Sequence, residues 1–363
     1  EPRACMLRIP QGQDVMSIRV LVVDDSRFFC RRLCEILSSD PEIEVVDTAM
    51  NGQEAIDKTI EFSPDLVTMD YAMPMMDGIQ AVRGIMERRP TPILMLSSMT
   101  SEGTQVTLDS LEAGAVDFIA KDSIALAGRD GAQRADLISR VKGLASSNFR
   151  ARRTALAHGV GTRSARPVTA RSATKRIRLV VIGASTGGPV AVQKILQELP
   201  ATFSAPIVVA IHMPQTFTGI FAERLNQSSK LKVKEAAEGD LLRSGEVLLA
   251  PGNKILSISG QQGGCIHLNE PGRNDIYSPS VDHAFSTAAQ AFPGSVLGVV
   301  LTGMGQDGLL GAKQLKESHS RLWAQDQASS VIYGMPMAVS KANLVDHVYS
   351  LAELSEHLVA EVC

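Results

Sequence analysis

The chain has 363 residues, of which 44% are hydrophobic and 21% charged, with a formal net charge of −3. That length suits two domains better than one, and the balance is that of a water-soluble globular protein. The weak negative charge gives no reason to expect nucleic acid as the main partner. No apolar run approaches the ~18 residues needed to span a bilayer, so membrane insertion is not expected.

The opening Glu1-Pro2-Arg3-Ala4-Cys5 is unusual for a native start. Residues 1–15 are therefore expected to be a non-native or disordered extension, with Met16-Ser17-Ile18-Arg19 leading into the first strand. No signal-type apolar region with a small-residue cleavage site follows the start. The five cysteines (Cys5, Cys30, Cys34, Cys265, Cys363) form no Cys-x-x-Cys pair and no framework. Reduced thiols and a cytoplasmic location are the expectation. Cys30 and Cys34 share a helix face as small apolar residues.

Residues 16–144 alternate strand-like and helix-like segments. Strands are predicted at 19–23, 44–48, 66–70, 93–97 and 116–120, and helices at 28–37, 53–61, 79–88, 105–113 and 135–144. Five short apolar strands, each followed by a helix, imply a five-stranded parallel, doubly wound sheet, with ligands bound beyond the strands' carboxyl ends. Residues 145–176 hold eight Lys/Arg and no Asp or Glu. A composition that cannot build a core reads as a flexible basic linker. A nucleic-acid arm would want interleaved aromatics, and only Phe149 is present. Weak attraction to an acidic surface of a partner or of the other domain is a third option.

From 177 to 363 the pattern restarts. Strands are predicted at 179–183, 207–212, 247–250, 296–302 and 321–324, with helices at 190–199, 219–225, 283–291 and 308–317. Gly252-Asn253-Lys254 and Gln261-Gln262-Gly263-Gly264 read as hairpin turns. This half is expected to be a doubly wound, mainly parallel α/β domain with an antiparallel hairpin region. The halves share no sequence period.

Two chemical constellations stand out. In the first half, Asp24 and Asp25 end the first strand and Asp70 ends the third, which lies beside it in a doubly wound sheet. Three carboxylates at one spot repel unless a cation neutralises them, and Mg²⁺ suits oxygen ligands while leaving positions for phosphate oxygens. Ser97 ends the fourth strand and Lys121 follows the fifth, where a hydroxyl and an ammonium can hold further phosphate oxygens. Lone strand-end aspartates more often cap helices, but here five positions agree in order.

This set resembles the response-regulator receiver family over about residues 18–140, with a flavodoxin-like fold. The resemblance implies that Asp70 accepts a phosphoryl group from a histidine kinase. It also implies that Asp24, Asp25, Asp70 and the carbonyl of Ala72 bind Mg²⁺, that Ser97 and Lys121 sense the phosphate, and that Phe118 is the switch aromatic. Asp122 stands where the family usually has Pro, and Tyr71-Ala72 replaces a more usual acidic and aliphatic pair.

In the second half, Gly183-Ala184-Ser185-Thr186-Gly187 satisfies Gly-x-Ser-x-Gly at a strand-to-helix junction, a sharp turn that exposes a hydroxyl. A Gly-x-Gly-x-x-Gly dinucleotide site is not matched, and the lysine of a phosphate-cradling Walker motif is absent. A serine nucleophile needs a base. Of seven histidines only His212 ends a clear strand, on the same edge as Ser185. The orienting acid is expected at Asp307, after Val299-Val300-Leu301-Thr302-Gly303-Met304-Gly305-Gln306, with Asp282 as its rival. The glycines there let backbone approach a substrate, and the Met304 N–H could face an oxyanion. A triad is recognised by geometry rather than chain order.

Gly-Ala-Ser-Thr-Gly-Gly, Ile211-His212-Met213-Pro214 and Leu301-Thr302-Gly303-Met304-Gly305-Gln306-Asp307-Gly308 are together similar to the catalytic domain of chemotaxis protein-glutamate methylesterases. So are Leu249-Ala250-Pro251-Gly252 and Tyr333-Gly334-Met335-Pro336. On these motifs the chain is identified as a member of the CheB family over about residues 177–360. The resemblance implies Ser185 as nucleophile, His212 as base, Asp307 as its orienter, Thr186 beside the site and Met304 as oxyanion donor, with no cofactor in this domain.

It further implies a phosphorylation-activated esterase that releases methanol from glutamyl methyl esters of methyl-accepting chemoreceptors and also deamidates receptor glutamines. A chemotaxis histidine kinase is the implied phosphodonor, and a monomer is expected. Two rivals remain: the same hydrolase serving a non-swimming chemosensory pathway, and a non-enzymatic module in which the second domain is inert.

Overall fold

The computed structural model of the chain describes residues 17–98, 100–122, 124, 131–146, 176–260, 263–273 and 275–363. The expected extension and nearly all of the expected basic linker lie outside the described residues.

The first α/β unit is built on β1 (Ile18–Val23), β2 (Ile43–Ala49), β3 (Leu66–Asp70), β4 (Ile93–Ser97) and β5 (Asp117–Ala120). Their order is β2-β1-β3-β4-β5, and every pairing is parallel. β3, β4 and β5 are buried along their whole length, as expected of strands covered on both faces. Local signals set the helix starts. Ser26 caps α1 (Arg27–Leu37), Asn51 caps α2 (Gly52–Phe62), and an Asp77/Gln80 capping box opens α3 (Gly78–Arg88). Thr100 caps α4 (Ser101–Ala113), so that helix begins one turn before the predicted 105; α5 is Gly131–Ala145.

The second unit is a seven-stranded sheet in the order β14-β13-β12-β6-β7-β9-β8. Its strands are β6 (Leu179–Ala184), β7 (Ile207–Ile211), β8 (Lys232–Glu235), β9 (Glu246–Leu249), β12 (Val296–Val300), β13 (Arg321–Gln325) and β14 (His347–Tyr349). All its pairings are parallel. The helices are α6 (Gly188–Glu198), α7 (Gln215–Ser228), α8 (Val281–Ala291), α9 (Leu309–Glu317), α10 (Met335–Lys341) and α11 (Leu351–Val362). In a separate two-stranded sheet β10 (Ile255–Ser259) pairs antiparallel with β11 (Cys265–Asn269); of the turn expected between them, Gln261 and Gln262 lie outside the described residues.

The second expected hairpin turn does not close a hairpin. Gly252-Asn253-Lys254 links β9 to β10, and β9 pairs in parallel with β7 and β8. Edge strands β8 and β14 escaped the pattern because they are short and largely solvated. The capping box Ser350/Glu353 that opens α11 was a readable start signal.

The two units touch. Phe118 of β5 stacks on Phe217 of α7, with ring centroids 4.3 Å apart. Arg224 of α7 reaches Asp109 at 2.6 Å and Glu112 at 2.5 Å, both on α4, and Glu112 also accepts from Gln193 of α6 at 2.7 Å. Helix α5 approaches the loops of the second sheet so closely that a Cβ on Gly143 would lie 2.9 Å from Ile332 Cδ1. No helix among the described residues is long and apolar enough to cross a membrane.

Candidate phosphoacceptor and active sites

Adjacent pairing of β1 and β3 brings Asp24, Asp25 and Asp70 to one edge, their carboxylate oxygens all within 4.8 Å of one another. Asp24 is fully buried and Asp70 is 5% exposed. The carboxylates are not unpaired, as the sequence suggested. Lys121 Nζ lies 2.7 Å from Asp24 Oδ2 and 2.8 Å from Asp70 Oδ2. Burial pushes the Asp70 carboxyl up from its ordinary value, against the opposing hydrogen bond and charge of Lys121. Lys121 itself is held above the usual lysine range because its two carboxylate partners outweigh its desolvation.

One ammonium cannot balance three carboxylates, and the donor set is all oxygen. These residues therefore fit a hard divalent cation. Ala72 sits two residues past Asp70 in the loop before α3. Ser97, at the end of β4, turns its hydroxyl to Thr107 Oγ1 of α4, 2.5 Å away, and donates to the Ser98 carbonyl. Phe118 is 6% exposed and faces the other unit rather than solvent.

The second site forms where β6, β7 and β12 end side by side. Ser185 follows β6, and the turn into α6 needs Gly187 at φ +75°, where a Cβ would also meet Val331 Cγ2 at 2.5 Å. The Ser185 N–H donates to the Thr302 carbonyl at 3.1 Å, tying the nucleophile turn to the end of β12. His212 directly follows β7, and its N–H donates to the Ala184 carbonyl.

His212 Nδ1 lies 3.1 Å from Ser185 Oγ, and Nε2 lies 2.7 Å from Asp307 Oδ2. A carboxylate only accepts, so Nε2 carries the proton and the Nδ1 lone pair faces the serine hydroxyl. The base atom in this arrangement is Nδ1.

Asp307 is 2% exposed and stays charged there for a visible reason. It accepts from Val281 N at 2.8 Å, Asp282 N at 2.9 Å and Gly308 N at 3.0 Å, and from the Ser280 hydroxyl. The Val281 and Asp282 amides open α8, whose N-terminus favours a negative charge. Burial opposes the charge, but His212 and these amides outweigh it and hold the Asp307 carboxyl below its usual range.

The rival Asp282 accepts from Gly311 N at 2.8 Å, with burial pushing its carboxyl up. Among the described residues it makes no bond to His212, so the orienting contact belongs to Asp307.

Ser185 is 8% and Thr186 2% exposed. The first unit reaches residues beside them. Ser139 of α5 donates to Met304 Sδ at 3.4 Å. Asp117 at the start of β5 carries a buried carboxyl, pushed up by that burial and paired with Arg140 at 3.4 Å. The Thr186 hydroxyl lies beside Asp117 but outside good hydrogen-bond geometry. No intramolecular acceptor is found for the Met304 N–H among the described residues.

Sequence reasoning missed the approach of Asp117 to the Thr186 turn, because nothing in a linear pattern pairs residue 117 with 186. It also missed Tyr277, whose ring stacks on His212 with centroids 4.5 Å apart and planes 6° from parallel.

A parallel α/β domain with a buried Ser–His–Asp relay, joined to a receiver-type acidic site, defines a receiver-linked serine hydrolase. Residues 20–126 match the response regulator receiver domain and residues 180–358 match the CheB methylesterase domain. The chain is 49% identical over 372 residues to a protein-glutamate methylesterase/protein-glutamine glutaminase of Pseudomonas putida, covering 96% of this chain and 100% of that protein. The chain belongs to the CheB methylesterase family.

A Pseudomonas aeruginosa protein of the same description is 48% identical, again over 96% of this chain and all of the relative. Among solved structures, the Thermotoga maritima CheB catalytic domain is 37% identical, covering 51% of this chain and 99% of that one, with a TM-score of 0.49. The receiver domain of the same Thermotoga protein is 44% identical over 35% of this chain and 94% of that one, with a TM-score of 0.32.

Proposed function

We propose that this enzyme hydrolyses glutamyl methyl esters on chemoreceptors and deamidates particular receptor glutamines, and that phosphorylation of Asp70 by a chemotaxis histidine kinase releases the activity. The observation that carries the reading is the relay of Ser185, His212 and Asp307 at 3.1 and 2.7 Å, lying under a receiver-type unit.

In this reading Ser185 Oγ attacks the γ-carbonyl carbon while His212 Nδ1 takes its proton. Asp307 holds the ring and stabilises the imidazolium. The Met304 N–H, for which no acceptor is found among the described residues, is available to the developing oxyanion. The imidazolium gives its proton to the departing methanol, and water then cleaves the acyl-serine to the glutamate and restores the hydroxyl. An amide substrate loses ammonia by the same route.

In the receiver, Asp24, Asp25, Asp70 and the Ala72 carbonyl would hold Mg²⁺. Charge neutralisation at the transferring phosphoryl group is what a bound ion supplies. Asp70 presents the accepting carboxylate, and Lys121 is already drawn to it.

The contacts that the first unit makes beside the nucleophile support autoinhibition in the unphosphorylated form, with Ser139 of α5 on Met304 and Asp117 beside Thr186. Phe118, α4 and α5 lie in that contact. A shift from 1:99 to 99:1 would need ~5.5 kcal/mol, so a partial shift on phosphorylation is expected.

The test is methanol release from methylated receptor membranes, with and without Mg²⁺ plus a small phosphodonor, beside Ser185→Ala and Asp70→Asn. Release that requires Ser185, and rises with phosphodonor only when Asp70 is present, bears the proposal out. Phosphorylation at Asp70 without Ser185-dependent methanol would redirect the search to another substrate.

A further inference from the structure

We infer that Tyr277 is a positioning residue for the hydrolytic reaction, acting on His212 through the face of its ring. The inference rests on the reading of Ser185, His212 and Asp307 given above.

The imidazole has two edges and two faces. Its edges are taken by Ser185 Oγ at 3.1 Å and Asp307 Oδ2 at 2.7 Å. Those two contacts fix the ring's axis but leave it free to rock about the line joining them. Tyr277 closes that freedom, with its ring 4.5 Å from the imidazole and 6° from parallel. An apolar plate there also keeps water off the base.

The plate is itself held. Tyr277 is partly buried, and a Cβ on Gly305 would come 3.0 Å from its hydroxyl, so the ring's outer end is packed against the loop that carries Asp307. The next turn of the same segment wraps the acid, since Ser280 Oγ, Val281 N and Asp282 N all donate to Asp307. One short stretch, 277–282, thus fixes the ring of the base and the charge of its orienter together.

The face contact has an electrostatic consequence. An aromatic face attracts a cation more than a neutral ring, so Tyr277 favours the imidazolium that forms when His212 takes the serine proton. The other charged groups around this pair are acidic. Asp307 lies at Nε2, and the charges of Asp307, Asp136 of α5 and Asp282 all bear on Tyr277. Arg140, the nearby base on α5, is engaged by Asp117 and Asp136. The cationic ring is thus set among carboxylates, and Tyr277 is the one aromatic surface found against it among the described residues.

The experiment compares Tyr277→Leu and Tyr277→Phe with the parent chain. Leu keeps an apolar cover without a π face; Phe keeps the face and drops the hydroxyl. Each protein is assayed for kcat and KM across pH, and the His212 ring nitrogens are titrated by NMR in a Ser185→Ala background that needs no substrate. Matched melting curves establish that the variants fold.

Tyr277→Leu should lower kcat by roughly 3- to 30-fold with little change in KM, the range expected of a cation–π contact. It should also move the acid limb of the pH profile and the NMR titration to lower pH. Tyr277→Phe should restore both. An unmoved titration in Tyr277→Leu would overturn the inference, and so would a loss confined to KM or a Phe variant as impaired as Leu. If no receptor ester is hydrolysed by any form while the titration still shifts, it is the substrate assignment that fails and the role of Tyr277 that stands.

Discussion

Replacing Arg224 by Ala cuts the charged contact between the two units without touching either chemical site. Arg224 is 14% exposed, while its partners Asp109 and Glu112 are 41% and 47% exposed. Solvent therefore screens the carboxylates but not the guanidinium. Bidentate, charge-assisted contacts of this kind stand above the surface median yet below fully buried pairs, and together they are worth about 2 kcal/mol. That is a factor of ~30 in the docking equilibrium. A closed state favoured ~99:1 would fall to ~3:1, raising the open fraction from ~1% to ~20%.

Methanol release without phosphodonor should then rise on the order of 20-fold, while release under saturating phosphodonor should rise by a smaller factor, because that form is already partly open. Asp109→Asn with Glu112→Gln should reproduce the effect from the other side of the contact. A basal rate within twofold of the parent, in a variant with an unchanged melting curve, would refute the reasoning. The receiver would then be held by Phe118–Phe217 and the α5 contacts alone.

Other outcomes follow from the same geometry. Ser185→Ala should abolish hydrolysis. Asp307→Asn should lower kcat by about 10³- to 10⁴-fold with little change in KM, because an amide there no longer enforces the tautomer with the proton on Nε2. Chelation of divalent cations, or Asp70→Asn, should block phosphoryl uptake from a radiolabelled small phosphodonor and leave Ser185-dependent basal hydrolysis unchanged. The hydrogen bond from Arg224 holds the Glu112 carboxyl below its ordinary value of 4.5, against its partial burial. Its contribution to docking should be complete above about pH 4.5 and fade as pH falls through the lower docked value. Interdomain fluorescence transfer should accordingly be flat from pH 6 to 8 and weaken in acid; a loss of docking near pH 6 would implicate other groups.

The sequence by itself determined the two parallel sheets and the strand ends that carry chemistry. Asp24, Asp70, Ser185 and His212 end or directly follow strands, because an apolar run buried on both faces is legible in one dimension and its next residue must emerge at the sheet edge; Asp307 lies in the loop that leaves β12 on that same edge. The sequence favoured Asp307 as the orienting acid and kept Asp282 as its rival, since both reach the region. Only the fold showed that Asp282 accepts from the start of α9 while Asp307 meets the imidazole.

Lys121 between Asp24 and Asp70, Tyr277 against His212 and Phe118 against Phe217 were likewise decided by tertiary structure. Each joins residues distant in the chain through side-chain packing, and such pairings leave no periodic trace. The contacts of Ser139 with Met304 and of Arg224 with Asp109 and Glu112 are the clearest case. That the two units meet near this edge could be expected from the sequence, but the residues that meet are chosen by surface complementarity that a linear pattern does not encode.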